Sequence, residues 1–246
     1  MSASIALVTG ARGGIGREVT ARLRAAGHRV AAVGRSVEAL ADVQADARIA
    51  ADTTTEEGAA SAIAACIDAL GNTPTLLALC VGSTFIAPLH RTTAAQYCEV
   101  MRIKFDSAAY MVQAWIVAMR EAHLRGSAVL CSSVVARIGV ASREAIAAAK
   151  GGVEALACSA AASYATIGLR GNAVAPGMTD TPMTAGMLRA DAMREAAGRQ
   201  YPLGGIQTAG QVAEAMVWLL SDSASRITGQ VIPVDGGLSS VRPLVE

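Results

Sequence analysis

Aromatic residues are scarce in this chain: two Phe, two Trp and four Tyr among 246 residues. The apolar half is mostly Ala, Val, Leu and Ile, a composition that suits close packing of helices on a sheet. Charge imbalance is missing as well. Twenty-one Lys and Arg against twenty Asp and Glu leave a formal net charge of +1, so nothing electrostatic argues for nucleic acid or an anionic membrane as partner. Cysteine is sparse and unpatterned. Cys66, Cys80, Cys98, Cys131 and Cys158 form no C-x-x-C and no Cys/His ligand spacing, and their number is odd. Buried free thiols in a reducing compartment are expected, with no disulfide framework and no metal site. Met1-Ser2-Ala3-Ser4 offers no basic n-region and no long apolar h-region, and no stretch reads as a membrane span. A cytoplasmic address is the expectation. Linkers, repeats and low-complexity segments are absent too. One domain over residues 1–246 is expected, long enough to bury roughly three quarters of the surface its unfolded form exposes.

What the chain does contain is an alternation of short apolar runs and longer amphipathic segments. The runs predict strands at 5–8, 29–33, 47–51, 76–80, 128–131, 170–174 and 230–234, and the segments predict helices at 14–26, 55–70, 94–122 and 143–166. Strands separated by helices, with glycine at several junctions, imply βαβ crossovers and a parallel sheet. The strands are nearly continuous apolar runs, as expected where helices cover both faces. The fold class is therefore α/β: a Rossmann-type, doubly wound parallel sheet of about seven strands with helices on both faces. Residues 178–205, with Pro182, Pro202 and several glycines, are the least regular. They follow the sixth strand, where a mobile substrate lid is expected.

Residues 9–16, Thr-Gly-Ala-Arg-Gly-Gly-Ile-Gly, leave the first strand and open the first helix. Gly10, Gly14 and Gly16 allow a tight turn and close approach of backbone, with Ile15, to a pyrophosphate that the helix N-terminus favours. A bare structural turn would also need glycine, but the flanking strand and helix fit a dinucleotide site. The second strand ends in Gly34-Arg35-Ser36 with no acid to accept ribose hydroxyls. Arg35, with Arg12, is suited to a 2′-phosphate, which favours NADP(H) over NAD(H). Asp52, at the end of the third strand, is placed either to accept from an adenine amine or to cap the next helix.

At this point the chain resembles the short-chain dehydrogenase/reductase (SDR) family from end to end. Residues 9–16 match T-G-x-x-x-G-I-G. Residues 172–183 match the N-x-V-x-P-G region, and residues 229–237 match the family's last strand and turn. The resemblance implies that Pro176, Gly177 and Thr179 line the nicotinamide site. It also implies a catalytic set: a tyrosine that exchanges a proton with the substrate oxygen, and a lysine four residues later that lowers the phenol's pKa and holds the ribose. A serine about thirteen residues before the tyrosine polarises the carbonyl, and an asparagine on the helix after strand four anchors a proton path.

Serine and lysine match here at Ser133 and Lys150. The tyrosine position falls on Ile146, within Glu144-Ala145-Ile146-Ala147-Ala148-Ala149-Lys150, and the asparagine position falls on Lys104. The N-N-A-G motif becomes Leu79-Cys80-Val81-Gly82 and keeps only its glycine. Loss of a general acid typically costs about two to four orders of magnitude in rate. Lys104, crowded by Lys150 and apolar walls, is a candidate substitute with a lowered pKa; otherwise its ammonium points to solvent or to a carboxylate. Tyr201, in the lid, is a second hydroxyl to locate.

Three functions follow from the resemblance. The first is a non-catalytic subunit of a hetero-oligomeric alcohol or hydroxyacyl dehydrogenase, paired with an active SDR paralogue. The second is an active NADP(H)-dependent ketone or alcohol oxidoreductase with a substitute acid. The third is a cofactor-binding sensor. Apolar faces on the two long helices (Tyr110, Met111, Ala114 and Val117; Ile146, Val153, Ala157 and Ala161) fall where the family builds a four-helix dimer interface. A homodimer or homotetramer is the alternative assembly.

Overall fold

The computed structural model describes residues 4–243. In chain order the elements are β1 (Ile5–Thr9), α1 (Gly14–Ala25), β2 (Arg29–Gly34), β3 (Ala47–Ala50), α2 (Glu56–Leu70), β4 (Leu76–Leu79), α3 (Ala94–Met101) and α4 (Ser107–Glu121). They continue with β5 (Gly126–Cys131), α5 (Glu144–Tyr164), β6 (Leu169–Pro176), β7 (Thr179–Asp180), α6 (Asp191–Gly198), β8 (Gln207–Thr208), α7 (Ala209–Leu220) and β9 (Val231–Val234). Seven strands form one sheet in the order β3-β2-β1-β4-β5-β6-β9, every pair parallel. β7 and β8 form a separate parallel pair.

Alternation along each strand sends side chains to two cores. Leu7 of β1 joins one core with Leu77, Met111, Trp115 and Val153, beneath α2, α4 and α5. Ala6 and Val8 join the other with Val19, Leu23, Val212 and Met216, beneath α1 and α7. Both faces are thus covered, which is why the central strands β1, β4 and β5 are largely apolar on both faces. Local signals fix the helix ends. Thr55 caps α2 by accepting from the Gly58 amide at 3.0 Å, with Glu56 and Glu57 in the first turn complementing the helix dipole. Gly71, at φ 76°, closes the same helix in the left-handed region that favours glycine.

The structure departs from the sequence reading at four places. α7 was not expected, although Thr208 and Gln211 make a capping box at its start and Val212, Ala213, Met216, Leu219 and Leu220 supply a buried stripe. α6 lies within the stretch read as irregular. The helix expected over 94–122 is interrupted by a π-helical turn at Arg102–Asp106, where Ser107 Oγ donates to the Ile103 carbonyl at 2.6 Å. The helical stretch Glu144–Ile167 is also long and apolar enough to cross a membrane by length and composition, with a mean hydropathy of 1.2; here Val153, Ala157 and Ala161 pack it on the sheet.

Two further expectations are corrected in part. All five cysteines are free, but only Cys66 is fully buried, and Cys98 and Cys158 are exposed. Of the helix faces read as a dimer surface, Met111, Val153, Ala157 and Ala161 are buried in this chain's own core, while Val117 is exposed.

Trp115 is the largest fully buried side chain, and its indole N–H donates to the Pro74 carbonyl at 2.7 Å. Trp115→Ala is expected to cost about 3–5 kcal/mol. Trp115→Phe should cost about 1–3 kcal/mol, mainly by leaving that carbonyl without its donor. Urea unfolding of the two variants checks both, and an Ala variant as stable as the parent would contradict this packing.

Candidate active site

Strand order reverses between β1 and β4, and in such sheets the crevice beyond the strands' carboxyl ends is the ligand site. A cleft of about 320 Å³ opens there, lined by the Gly13–Gly16 turn, the ends of β4, β5 and β6, the start of α5 and the segment after β6. Gly10 has φ 63°, and a Cβ on it would lie 2.7 Å from the Cys80 backbone. A Cβ on Gly16 would lie 2.3 Å from the Gly10 carbonyl oxygen. Only glycine allows β1, α1 and β4 to meet so closely. Gly13 caps α1 without a side-chain hydrogen bond, and the first turn holds no acid. The amides of Gly14, Ile15 and Gly16 belong to the first turn, where helix N–H groups lack intrahelical partners. This cradle fits the pyrophosphate of a dinucleotide. The segment after β6 reaches it, since a Cβ on Gly14 would meet the Thr181 side chain at 2.8 Å.

The next edge carries the residues read as adenine-side contacts. The Ala11 amide donates to the Val33 carbonyl at 3.4 Å, and the Ala51 amide donates to the Gly34 carbonyl at 2.9 Å. Arg12, Arg35 and Asp52 are therefore brought to one exposed edge. Asp52 does not cap α2; Thr55 does. Instead, the Thr54 hydroxyl and amide donate to Asp52 Oδ1 at 2.6 and 3.0 Å. These bonds, and then the charges of Arg102 and Arg35, hold its carboxyl below the usual range.

The inner wall gathers the residues aligned with the family's chemistry. Ser133, Ile146, Lys150 and Lys104 all line the cleft. Ser133 is half-buried and accepts from the Val135 amide at 3.4 Å, which leaves its hydroxyl hydrogen available. Its neighbour Ser132 is committed to structure, donating to the Lys150 carbonyl at 3.2 Å and lying 2.9 Å from Glu154 Oε1. Ile146 stands about one helical turn before Lys150 on the same face of α5. Lys150 Nζ donates to the Cys131 carbonyl at 2.5 Å, and burial lowers its pKa. Lys104, carried by the π-helical turn, points neither to solvent nor to a carboxylate. It is 4% exposed and donates to the Ser83 carbonyl at 2.5 Å. Burial first, and then the charge of Lys150, hold its ammonium down to about 7. Cys80 and Cys131 also line the cleft, and burial pushes both thiols up.

The remaining wall follows β6. The Gly177 amide donates to the Val234 carbonyl at 3.1 Å, and Thr179 Oγ1 donates to the Gly177 carbonyl at 3.0 Å; with Pro176 they line the cleft. Tyr201 is buried, and its phenol oxygen accepts from the Met178 amide at 2.6 Å. That contact fixes the phenol on the lid side of the cleft. The sequence reading did not single out Arg143. It stands three positions before Ile146 and lines the same cleft, and that helical spacing was the available signal.

A parallel α/β sheet with a glycine turn and paired cations at its switch point defines a dinucleotide-dependent oxidoreductase fold. A family model described as enoyl-(acyl carrier protein) reductase matches residues 10–239. The chain is 36% identical over 96% of its length to cis-4-hydroxycyclohexanecarboxylate dehydrogenase of Sinomonas cyclohexanicum, 97% of which is covered. It is 34% identical over 88% of its length to the inactive 2-(S)-hydroxypropyl-CoM dehydrogenase 2 of Xanthobacter autotrophicus, 97% of which is covered. Aldohexose dehydrogenase of Thermoplasma acidophilum superposes with a TM-score of 0.90 at 26% identity, covering 99% of this chain and 97% of that one. The chain belongs to the short-chain dehydrogenase/reductase family, whose members bind a nicotinamide cofactor and commonly form homo-oligomers.

Lys104 yields a test by proton linkage. Its ammonium titrates at about 7 in the fold against an ordinary value of 10.5. Between those values the unfolded chain binds more protons than the native one, so stability rises with pH across that window. Below it, both states are charged and the full cost of the buried cation remains. Lys104→Met should therefore raise the urea midpoint at about pH 6.5, with the gain shrinking toward about pH 10. A gain independent of pH would show that Lys104 is not held down by burial.

Proposed function

We propose that this chain binds NADP(H) in the cleft and serves as a subunit that does not itself reduce carbonyls, paired with an active SDR paralogue. The observation that carries the reading is the position of Ile146, whose hydrocarbon side chain lines the cleft about one turn before Lys150, where the family aligns its tyrosine. Nicotinamide, when bound, supplies or accepts a hydride. The substrate oxygen must then exchange a proton, and Ile146 has none to exchange. Ser133 retains a hydroxyl for polarisation only. That a relative 34% identical is named inactive supports a place for such a chain in the family.

In this reading Gly10, Gly14, Ile15 and Gly16 hold the pyrophosphate, Arg12 and Arg35 the 2′-phosphate, and Asp52 the adenine amine. Lys150 holds the ribose, and Pro176, Gly177 and Thr179 flank the nicotinamide. Residues 178–205 close over the site as a lid on the single domain 1–246. Free thiols fit a cytoplasmic setting.

A second reading is favoured by one observation. Lys104 lines the cleft with its ammonium titrating at about 7, a value suited to a general acid at neutral pH. This reading makes the chain an active oxidoreductase with Lys104 in the proton-donating role.

The isolated chain is expected to show no NADPH-dependent ketone reduction, and Ile146→Tyr is expected to restore measurable turnover. Turnover by the unaltered chain that disappears in Lys104→Met would establish the second reading instead. Isolation from the native source should yield a partner with an intact Ser/Tyr/Lys set; a homo-oligomer alone would sink the subunit assignment. In calorimetry NADPH should bind at least about tenfold more tightly than NADH, a margin that charge-assisted bonds from Arg35 can supply. Arg35→Ala should remove most of it. Equal affinities in the unaltered chain would refute the cofactor choice.

A further inference from the structure

The cleft lining holds three basic side chains, Lys104, Arg143 and Lys150, and no carboxylate. Two of them are satisfied by carbonyl oxygens: Lys104 by Ser83 and Lys150 by Cys131. Arg143 is different. Its only side-chain contact of hydrogen-bond type is from Nη2 to Met187 Sδ, at 3.7 Å, and among the described residues no acid pairs with it. A thioether is a weak acceptor, so a guanidinium with five donors is left facing the cleft nearly unmatched. Burial lowers its pKa, and an arginine remains charged through such a shift. Arg143 is half-buried, and the fold lends its guanidinium no acidic partner among the described residues.

The backbone holds the arginine in this attitude. Ser142, immediately before it, has φ 61°, a left-handed conformation that non-glycine residues adopt at a cost. The Ser142 carbonyl accepts from the Ala87 amide at 3.2 Å, which ties the entry of α5 to the loop after β4. Arg143 then caps α5, and the Ala147 amide donates to its carbonyl at 2.8 Å. Arg143, Ile146 and Lys150 follow helical spacing along the cleft. The axial rise from Arg143 to Ile146 is about 4.5 Å.

We infer that Arg143 anchors an oxyanion on the ligand of this cleft, and that the ligand is a small hydroxy or oxo acid. Its acidic group lies at Arg143, and its alcohol or ketone carbon lies about one helical turn deeper, beside Ile146 and Lys150. A bidentate guanidinium suits a planar carboxylate, and a sulfonate presents the same oxyanion chemistry. Val134, Val135 and Val140 also line the cleft, and such apolar walls suit a short carbon chain or ring. The inference rests on the proposal that the cleft receives a dinucleotide, and it adds the charge and length of a second ligand beside it.

The test is calorimetric titration of the full chain, with and without saturating NADP+, using 4-oxopentanoate, its methyl ester and 3-oxobutane-1-sulfonate. The acid is expected to bind at least about tenfold more tightly than the ester, as a charge-assisted bond provides. Arg143→Gln should abolish that preference while leaving NADPH affinity unchanged, and Arg143→Lys should retain part of it. The acid/ester comparison uses the unaltered protein, so it stands whether or not a variant folds. Tighter binding of the sulfonate than of the carboxylate would assign the oxyanion to the sulfonate class. Equal binding of acid and ester, binding of neither, or a preference that persists in Arg143→Gln would overturn the inference. Failure to bind NADPH, with the acid preference intact, would overturn only the dinucleotide reading.

Discussion

The site depends on how two ammonium groups are kept inside the fold without a carboxylate. Lys104 and Lys150 are each almost fully buried, and each is satisfied by one backbone carbonyl. A carbonyl dipole stabilises a cation without cancelling its charge, so the repulsion between the two lysines persists. Desolvation, and then that repulsion, lower the Lys104 pKa. The geometry behind it is that of the sheet. Cys131 ends β5 next to the end of β4, Ser83 lies on the loop that leaves β4, and parallel strands all deliver their carboxyl ends to the same edge. Packing of the apolar strands therefore fixes the electrostatics of the cleft.

The layered sheet was legible because its strands are buried on both faces and read as unbroken apolar runs. The glycine turn was legible because close approach at Gly10 and Gly16 excludes any side chain, a constraint that shows in the sequence as residue type. Ser133, Ile146, Lys104 and Lys150 were placed by resemblance, and the structure brings all four to one cleft. What escaped reading was set by tertiary context. α7 had a capping box and a buried stripe, but it lies between two irregular stretches whose glycines and proline obscured the period. The π-helical turn that carries Lys104 inward has no local composition to announce it. Asp52 was ambiguous because a carboxylate at a strand end can accept from a ligand amine or cap the next helix; Thr55, three residues on, took the cap.

Arg143 shows why a charge is harder to read than a core residue. In sequence it sits at the start of a helix among small residues, where an exposed arginine would be unremarkable. Its meaning comes from what surrounds it: a left-handed Ser142 tied to Ala87, the Met187 thioether, and a lining free of acids. None of these is adjacent in sequence to more than one of the others.

Ile146, at the position the resemblance aligns with a tyrosine, bears on the same balance. A phenol at that position would offer the neighbouring lysine a partner able to become an anion. A hydrocarbon offers none, and Lys150 donates to the Cys131 carbonyl. The cleft is left with three basic side chains and no acidic one in its lining. Such a surface favours ligands that bring negative charge at both ends, phosphates at the glycine turn and an acid at Arg143. Chemistry that leaves an alkoxide beside Ile146 would find stabilising charge there but, apart from Lys104, no group tuned near neutrality to give a proton. On the proposed reading, in which Lys104 gives no proton, the cleft would bind anions without completing a reduction. This is the physical distinction between a subunit that holds ligands and one that turns them over.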